Sequence, residues 1–436
     1  MIIAALASAP GKAGISVIRL SGNNTVNIVK EYLSIEEKLQ DVEYNKLYLT
    51  EFINEGESID QITVAFFKEG NSYTGEESAE IFCHGSPIIV RKILEAFYLE
   101  KGIREAEPGE FTQKRFMNGK MDLVQAEAVI DLINSESDAA FISSREQLEG
   151  GLSEELKKIN AMLIELMSIL ELELDFAEED LDFTPNEEII RKIDLAVEVI
   201  NKFVVGYKKG RIYRDGIKVA LVGEVNVGKS SLMNAFLKSD RVIVTDIAGT
   251  TRDIIEEKIE VNGYLLRIFD TAGIRETQDI IENEGISRSR KLIEEADIIL
   301  HILDSTNPSE EEFLGNIIKV YNKCDLEDVI IDENSVKISC KTGVGVEELK
   351  HQIVKKVIDE KLSYQPYYIS NIRHFNILKE TVSQLEQAKL SIQEGQNNEV
   401  VIVDMRQALD TLGEITGETT SMDIINNIFG NFCIGK

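Results

Sequence analysis

Residues 223–231 read Gly223-Glu224-Val225-Asn226-Val227-Gly228-Lys229-Ser230-Ser231, which fits the pattern G-x-x-x-x-G-K-[ST] of phosphate-binding loops. A strand-like run at 219–222 precedes the stretch, and a helix-like run at 230–237 follows it. Glycines let successive backbone N–H groups turn toward phosphate oxygens at a helix N-terminus. Lys229 is expected to reach the β- and γ-phosphates, and the Ser230 hydroxyl to bind Mg²⁺. The predicted nucleotide contacts of this loop are Asn226, Val227, Gly228, Lys229, Ser230 and Ser231.

Two later segments indicate which base is bound. The run Asn322-Lys323-Cys324-Asp325 ends a strand-like stretch and fits N-K-x-D. Asp325 can accept hydrogen bonds from N1–H and the 2-amino group of guanine, and adenine lacks this pair of donors, so the carboxylate selects GTP over ATP. Ser339-Cys340-Lys341 resembles the S-A-K loop that supports guanine, with Cys340 in place of the usual alanine. The predicted base contacts are Asn322, Lys323, Asp325, Ser339, Cys340 and Lys341.

The Mg²⁺ and γ-phosphate contacts are predicted in two segments between these motifs. Asp270 closes a strand-like run at 265–269, where an Asp can hold the Mg²⁺ shell, and the Gly273 amide can approach the γ-phosphate. In the expected switch loop Thr251 is the predicted Mg²⁺ ligand, with Thr250 as its close competitor. The predicted contacts here are Thr245, Asp246, Ile247, Ala248, Gly249, Thr250, Thr251, Asp270, Thr271, Ala272 and Gly273.

The hydrolytic machinery differs from that of Ras-like GTPases. Ile274 stands where a Gln orients the attacking water in those enzymes, and isoleucine cannot do this. Arg252 is a candidate arginine finger, although an Arg beside a switch threonine is more often structural. Asn226 offers a carbonyl oxygen near the β/γ bridge and, with carbonyls of the switch loop, could build a monovalent-cation site. Such a cation would neutralise transition-state charge as an arginine finger does.

The whole-chain composition limits the classes of function. The chain has 436 residues, enough for two or three domains, and carries 77 acidic against 47 basic side chains, for a formal charge of −30. An RNA contact must therefore use a local basic patch or a partner. The four cysteines have no C-x-x-C spacing, so neither a zinc site nor a disulfide framework is expected and a reducing cytoplasm is favoured. No membrane span is expected, and residues 1–9 are predicted to form a β-strand rather than a signal peptide.

Hydrophobic patterns outside the GTPase motifs predict two more domains. Residues 1–118 show short strand-like runs at 16–20 and 62–67 and indicate an α+β domain. Residues 119–210 and 361–436 are expected to form one discontinuous helical domain, split by an inserted P-loop GTPase domain with a doubly wound sheet at 211–360. The apolar positions that indicate long helices are Leu152, Leu156, Ile159, Leu163, Leu166 and Leu170, then Leu378, Val382, Leu385, Ala388 and Ile392.

Motifs across nearly the whole chain resemble those of the tRNA modification GTPase family MnmE, also called TrmE. The amino-terminal motifs are 9–22, Ser72-Tyr73-Thr74-Gly75-Glu76 and Pro108-Gly109-Glu110-Phe111-Thr112. The switch-loop motif is 246–253, and the chain ends in Cys433-Ile434-Gly435-Lys436, similar to the family's C-[IVL]-G-K. General ribosome-assembly GTPases share the GTPase loops but not the two outer segments.

The resemblance implies a reaction and its participants. The family hydrolyses GTP and works with the FAD-dependent protein MnmG (GidA) to install an aminomethyl or carboxymethylaminomethyl group at carbon 5 of the wobble uridine of certain tRNAs. The one-carbon unit comes from a tetrahydrofolate derivative, in the 5-formyl or methylene form. The family is a homodimer through its amino-terminal domains. Its GTPase domains approach each other across potassium.

The resemblance also assigns residues. The implied folate contacts are Arg19, Glu80, Lys120 and Lys436. The implied potassium ligands are Asn226, Thr245, Ile247 and Thr250. The implied catalytic residues are Glu282, Lys229 and Thr251. Glu282 is the acid that would orient the attacking water, and Glu284 is close enough in sequence to be confused with it. Cys433 has either a chemical or a packing role.

Two other functions stay open from the sequence. One is an Era/Der-like nucleotide-switched ribosome-assembly factor, against which the strong acidity counts. The other is a folate-binding or scaffolding protein whose GTPase activity is only regulatory.

Overall fold

The computed structural model describes residues 1–35, 42–175, 184–239, 256–270, 291–307, 315–327, 335–358 and 367–436. These residues form two compact units. The first unit contains Met1–Ile130 and Asp410–Lys436, and the second contains Asp131–Leu409. The predicted domain boundaries at 118/119, 210/211 and 360/361 stay predictions. Among the described helices, none is long and apolar enough to cross a membrane.

The first unit is built on a six-stranded sheet. Its strands are β1 (Ile2–Leu6), β2 (Ala13–Ser21), β3 (Leu47–Asn54), β4 (Glu57–Phe67), β5 (Ser78–Gly85) and β6 (Ile103–Glu105). They lie in the order β3-β4-β5-β2-β1-β6. All neighbours are antiparallel except β1 and β6. The predicted amino-terminal strand and the strand-like runs at 16–20 and 62–67 are confirmed.

Successive side chains of a strand point to opposite faces of the sheet, and the face that carries the apolar residues forms the main core. Ile62, Val64 and Phe66 on β4 are buried, together with Ile18 and Leu20 on β2. The helices of this unit are α1 (Thr25–Glu31), α2 (Pro87–Tyr98), α3 (Glu110–Met117) and α4 (Leu123–Ile133). A smaller apolar cluster contains Ile3, Ala5, Ala106 and Phe111, with Tyr73 packed against it.

The second unit contains the other six-stranded sheet. Its strands are β7 (Ile217–Val222), β8 (Glu256–Val261), β9 (Tyr264–Asp270), β10 (Ile298–Asp304), β11 (Ile317–Asn322) and β12 (Ser335–Lys337), in the order β12-β11-β10-β7-β9-β8. The strands pair in parallel except β8, which is antiparallel to β9. Because the order reverses about β7, a crevice is expected at the carboxyl ends of β7 and its neighbours. The predicted doubly wound α/β architecture is confirmed, with an antiparallel edge strand.

The remaining helices include the two long apolar stripes. They are α5 (Asp138–Leu148), α6 (Gly151–Asp175), α7 (Asn186–Asp215), α8 (Lys229–Ser239), α9 (Val346–Val357), α10 (Ile372–Gln393), α11 (Asn398–Thr416) and α12 (Met422–Gly430). All six apolar positions predicted on α6 are buried. On α10 the predicted positions are also buried except Val382, which is partly exposed.

Candidate active site

The phosphate loop joins the end of β7 to the start of α8, as the sequence predicts. Gly223, Asn226 and Gly228 have φ angles of 143°, 67° and 105°. A Cβ atom at Gly223 would lie 2.3 Å from the carbonyl oxygen of Ile302 on β10, so only glycine permits this approach. Asparagine tolerates the left-handed region better than most residues, which explains Asn226 between the two glycines. The glycine at position 223 therefore allows the loop to pack directly against β10.

Lys229 lies within this loop. The residue is 8% exposed, and its Nζ donates hydrogen bonds to the carbonyl oxygens of Gly223 at 2.8 Å and Glu224 at 2.7 Å. A buried ammonium group must have such partners to offset its lost hydration. The positive charge is thus held in the loop that is predicted to receive the phosphates.

Two oxygen-bearing side chains meet beside the loop. The Ser230 hydroxyl donates to Oδ2 of Asp270 at 3.4 Å, and Asp270 is buried at the end of β9. Hydroxyl and carboxylate oxygens are ligands that Mg²⁺ accepts, usually with water and phosphate completing the shell. The pair fits the predicted metal position.

Several predicted residues lie outside the part of the chain that the structure describes. They are Thr245, Asp246, Ile247, Ala248, Gly249, Thr250, Thr251, Arg252, Thr271, Ala272, Gly273, Ile274, Glu282 and Glu284. The assignments of the second Mg²⁺ ligand, of three potassium ligands and of the water-orienting acid therefore stay predictions.

The base-recognition carboxylate is oriented by the neighbouring loop. The Ser339 hydroxyl donates to Oδ1 of Asp325 at 2.6 Å, and this hydrogen bond lowers the pKa of the Asp325 carboxyl. The backbone N–H of Thr342 in turn donates to the Ser339 oxygen at 3.2 Å. Asp325 is therefore kept ionised, with one oxygen engaged by Ser339 and the other able to face a base.

Asn322 connects the phosphate loop with the base loop. The residue is 3% exposed, its Nδ2 donates to the carbonyl oxygen of Val227 at 2.9 Å, and its Oδ1 accepts from the backbone N–H of Cys340 at 3.2 Å. A Cβ atom at Gly228 would lie 2.2 Å from Nδ2, so glycine there is needed for the contact. The structure thus gives Asn322 a linking role between two loops that the sequence motif alone does not reveal.

Lys323 forms an ion pair with Asp304 at the end of β10. Burial would raise the pKa of Asp304, but hydrogen bonds from Lys323 and Thr306 outweigh it and lower the pKa. Sequence reasoning did not single out Asp304 or Thr306, although an Asp at the carboxyl end of an apolar strand-like run was an available signal. The pair fixes the backbone of the N-K-x-D segment, where Lys323 has a φ of 67°.

Cys340 is a neutral packing residue in the base loop. Burial raises the pKa of its thiol to about 11, so it stays protonated at neutral pH. It lines a cavity of about 460 Å³ with Ser231, Lys341 and Gly343. This cavity therefore connects the residues that follow the phosphate loop with those predicted to support guanine.

Replacing Asp325 with asparagine is expected to weaken GTP binding by roughly 10- to 100-fold, because a charged acceptor for the guanine 2-amino group becomes a donor. Xanthosine triphosphate carries an oxygen at that position and should bind the variant better than GTP. Titration with both nucleotides checks this, and a variant that still prefers GTP would contradict the assignment. Glu327→Gln, which makes the same carboxylate-to-amide change at an exposed residue shortly after the motif, is the matched control.

A second group of predicted residues meets in the first unit. Arg19 and Glu80 are directly opposite in the β2–β5 pair, and Nε and Nη2 of Arg19 lie 2.9 Å from Oε1 of Glu80. Lys120 lies against Gly75, since a Cβ atom there would be 3.3 Å from its Cε. The carbonyl oxygen of Lys436 accepts from the backbone N–H of Phe111 at 3.1 Å. The four predicted folate contacts therefore surround the segment 72–76 and the start of α3.

Gly435 allows the last residues of the chain to pack closely against β1. Gly435 has a φ of 94°, and a Cβ atom there would lie 2.1 Å from the carbonyl oxygen of Leu6 on β1. Cys433 is exposed. The close approach explains why Gly435 precedes the final lysine.

Glu76 ties the segment 72–76 to its surroundings. Lys114 on α3 lies 2.9 and 3.0 Å from the two Glu76 oxygens, and the Ser21 hydroxyl donates to Glu76 at 3.0 Å. Ser21 also shares a 2.7 Å hydrogen bond with Thr74. These bonds order the segment beside Arg19 and Glu80.

Two family models and the curated relatives match nearly the full length of the chain. Residues 2–120 match the family described as the GTP-binding protein TrmE N-terminus, and residues 123–433 match the MnmE helical domain. The tRNA modification GTPase MnmE of Aquifex aeolicus is 40% identical, covering 100% of this chain and 99% of its own. The protein of the same name from Flavobacterium johnsoniae is 38% identical, with the same coverage. The G domain of the FeoB iron transporter of T. maritima is 28% identical over 32% of this chain and 98% of its own, with a TM-score of 0.24.

Proposed function

The chain belongs to the MnmE family of tRNA modification GTPases, and we propose that it modifies carbon 5 of the wobble uridine of certain tRNAs together with an FAD-dependent partner of the MnmG (GidA) type. It is a GTP hydrolase that acts in tRNA modification. The proposed products are aminomethyl and carboxymethylaminomethyl uridines. The proposed one-carbon source is a tetrahydrofolate derivative in its 5-formyl or methylene form.

The observation that supports the nucleotide half of the proposal is the link formed by Asn322. It connects the loop that holds Lys229 with the loop that orients Asp325. The residues proposed to bind the phosphates and those proposed to bind the base are therefore joined by direct hydrogen bonds. Ser230 and Asp270 supply oxygens for Mg²⁺, and Thr251 is proposed to complete the protein ligands. Lys229 would hold charge that develops on the β- and γ-phosphate oxygens.

Hydrolysis is proposed to depend on potassium. Asn226 is exposed on the phosphate loop, and its backbone has the left-handed conformation. Together with the carbonyl oxygens of Thr245, Ile247 and Thr250 it would provide an all-oxygen site, which suits a hard cation. The cation supplies positive charge near the transferring phosphoryl group, and Glu282 is proposed to orient the attacking water.

The folate half of the proposal is supported by the residues around segment 72–76. Arg19 Nη1 is buried and has no hydrogen-bond acceptor within the described residues, so the site retains a donor for a ligand. Glu80 is 20% exposed in its side chain and can accept from the amino and N–H groups of a pterin. Lys120 and Lys436 suit the carboxylates of the glutamate tail. The folate, when bound, supplies the one-carbon unit.

Membership of the MnmE family also supports the proposed partners. The tRNA is the substrate, and with a formal charge of −30 the chain would meet it through a local basic patch or through the FAD-dependent partner. We propose a homodimer through residues 1–118 and a cytoplasmic location.

The test of this function is the nucleoside composition of tRNA from a strain that lacks this chain. Loss of carbon-5-modified wobble uridine, with normal ribosomal subunit profiles, is expected. Unchanged modification together with accumulated ribosomal precursors would instead support a nucleotide-switched assembly factor and contradict the proposal.

A further inference from the structure

Tyr73 lies against the side chain that the proposed folate site depends on. The guanidinium carbon of Arg19 is 4.8 Å from the centre of the Tyr73 ring and 5.7 Å from the centre of the Phe111 ring. Both distances lie within the range of a cation–π interaction, about 6 Å. Phe111 is fully buried in the small apolar cluster, whereas Tyr73 belongs to segment 72–76 and is only partly buried.

Arg19 has few polar contacts to hold its orientation. Its ion pair with Glu80 uses Nε and Nη2, while Nη1 is buried without an acceptor among the residues described. A buried donor without a partner is unfavourable, so other contacts must keep the guanidinium there. The two aromatic rings supply those contacts, and the ring of Tyr73 is the nearer.

Contacts with α3 hold Tyr73 in place. Its hydroxyl is 3.0 Å from the Thr112 hydroxyl, and its carbonyl oxygen accepts from Nη1 of Arg115 at 2.8 Å. The guanidinium carbon of Arg115 is 5.1 Å from the centre of the same ring. One tyrosine ring therefore holds two guanidinium groups, and its own position is set by α3.

We infer that Tyr73 is a positioning residue of the folate site, which holds the Arg19 guanidinium in the orientation that pairs with Glu80. This inference rests on the proposed folate role of Arg19 and Glu80. The contact needs the aromatic face of Tyr73 rather than its hydroxyl. Without the ring, the Arg19 side chain can also adopt rotamers that turn it away from Glu80. Ligand binding must then restore the rotamer that pairs with Glu80, which lowers the affinity.

The experiment measures the dissociation constant of 5-formyltetrahydrofolate for the full chain by calorimetry. Tyr73→Leu and Tyr73→Met, which remove the ring, are expected to weaken binding about tenfold. Tyr73→Phe, which keeps the ring, should stay within about twofold of the unmodified protein. Thermal unfolding and the GTP hydrolysis rate of each variant, both expected to change little, show that the fold is intact.

The controls separate this inference from the folate proposal. Tyr48→Leu removes a ring on the edge strand β3 that lies under Lys46 at 5.6 Å, and it should not alter folate binding. If Arg19→Gln abolishes binding but both ring-deleted variants bind normally, the role of Tyr73 is wrong and the folate site stands. Equal losses in Tyr73→Phe and Tyr73→Leu would also overturn it, because the hydroxyl would then carry the effect. If the unmodified chain does not bind the folate, the folate proposal itself fails.

Discussion

Replacing Lys229 with alanine is expected to lower kcat for GTP hydrolysis by a factor on the order of 10³. The side chain is the cation held in the phosphate loop, by the carbonyl oxygens of Gly223 and Glu224. Its removal leaves charge that develops on the phosphate oxygens without a preorganised donor. Steady-state hydrolysis by the purified variant measures the loss.

The matched control for this variant is Lys319→Ala, an exposed lysine on strand β11 of the same sheet. It removes the same charge and should hydrolyse GTP at the rate of the unmodified chain. A Lys229→Ala variant that retains more than about a tenth of the activity would contradict the assigned role, since one lost oxyanion donor already lowers kcat by about 10²–10³.

Hydrolysis is expected to be at least about tenfold faster in potassium chloride than in sodium chloride of equal ionic strength. The proposed cation would act where an arginine finger contributes about 10³–10⁵ in kcat. Sodium is smaller, so ligands spaced for potassium would hold it less well. The rate is measured in both salts with the unmodified chain and with an Asn226 variant.

Asn226→Gly is the informative variant for this prediction. Asn226 has a φ of 67°, and glycine keeps that backbone conformation while it removes the amide oxygen, whereas alanine would add strain. Asn262→Gly makes the same change at another left-handed asparagine, in the turn between β8 and β9, and is the matched control. Equal rates in both salts, or potassium stimulation that survives in Asn226→Gly, would contradict the cation site.

The parts of the structure that sequence predicted are those set by local chemistry. The phosphate loop has to follow a buried strand and open a helix, and the glycines at 223 and 228 have φ angles that other residues rarely adopt. The leucine stripe on α6 is predicted because a period near 3.6 places one face of a helix in the core. These features need no knowledge of distant residues.

Contacts between segments that are distant along the chain could not be predicted in the same way. Asn322 meets Val227 across 95 positions, and the guanidinium carbon of Arg19 lies 4.8 Å from the centre of the Tyr73 ring, which belongs to a distant segment. Neither contact leaves a periodic pattern in the sequence.

We propose that GTP hydrolysis at this phosphate loop is required for modification of the wobble uridine. The most direct measurement is the content of carbon-5-modified uridine, by mass spectrometry of digested tRNA, in a strain that lacks this chain and expresses either the unmodified protein or Lys229→Ala. The unmodified protein is expected to restore the modified nucleoside, and Lys229→Ala, at equal abundance, is expected not to. Full restoration by Lys229→Ala would instead mean that GTP hydrolysis is not required for the modification and has a regulatory role only.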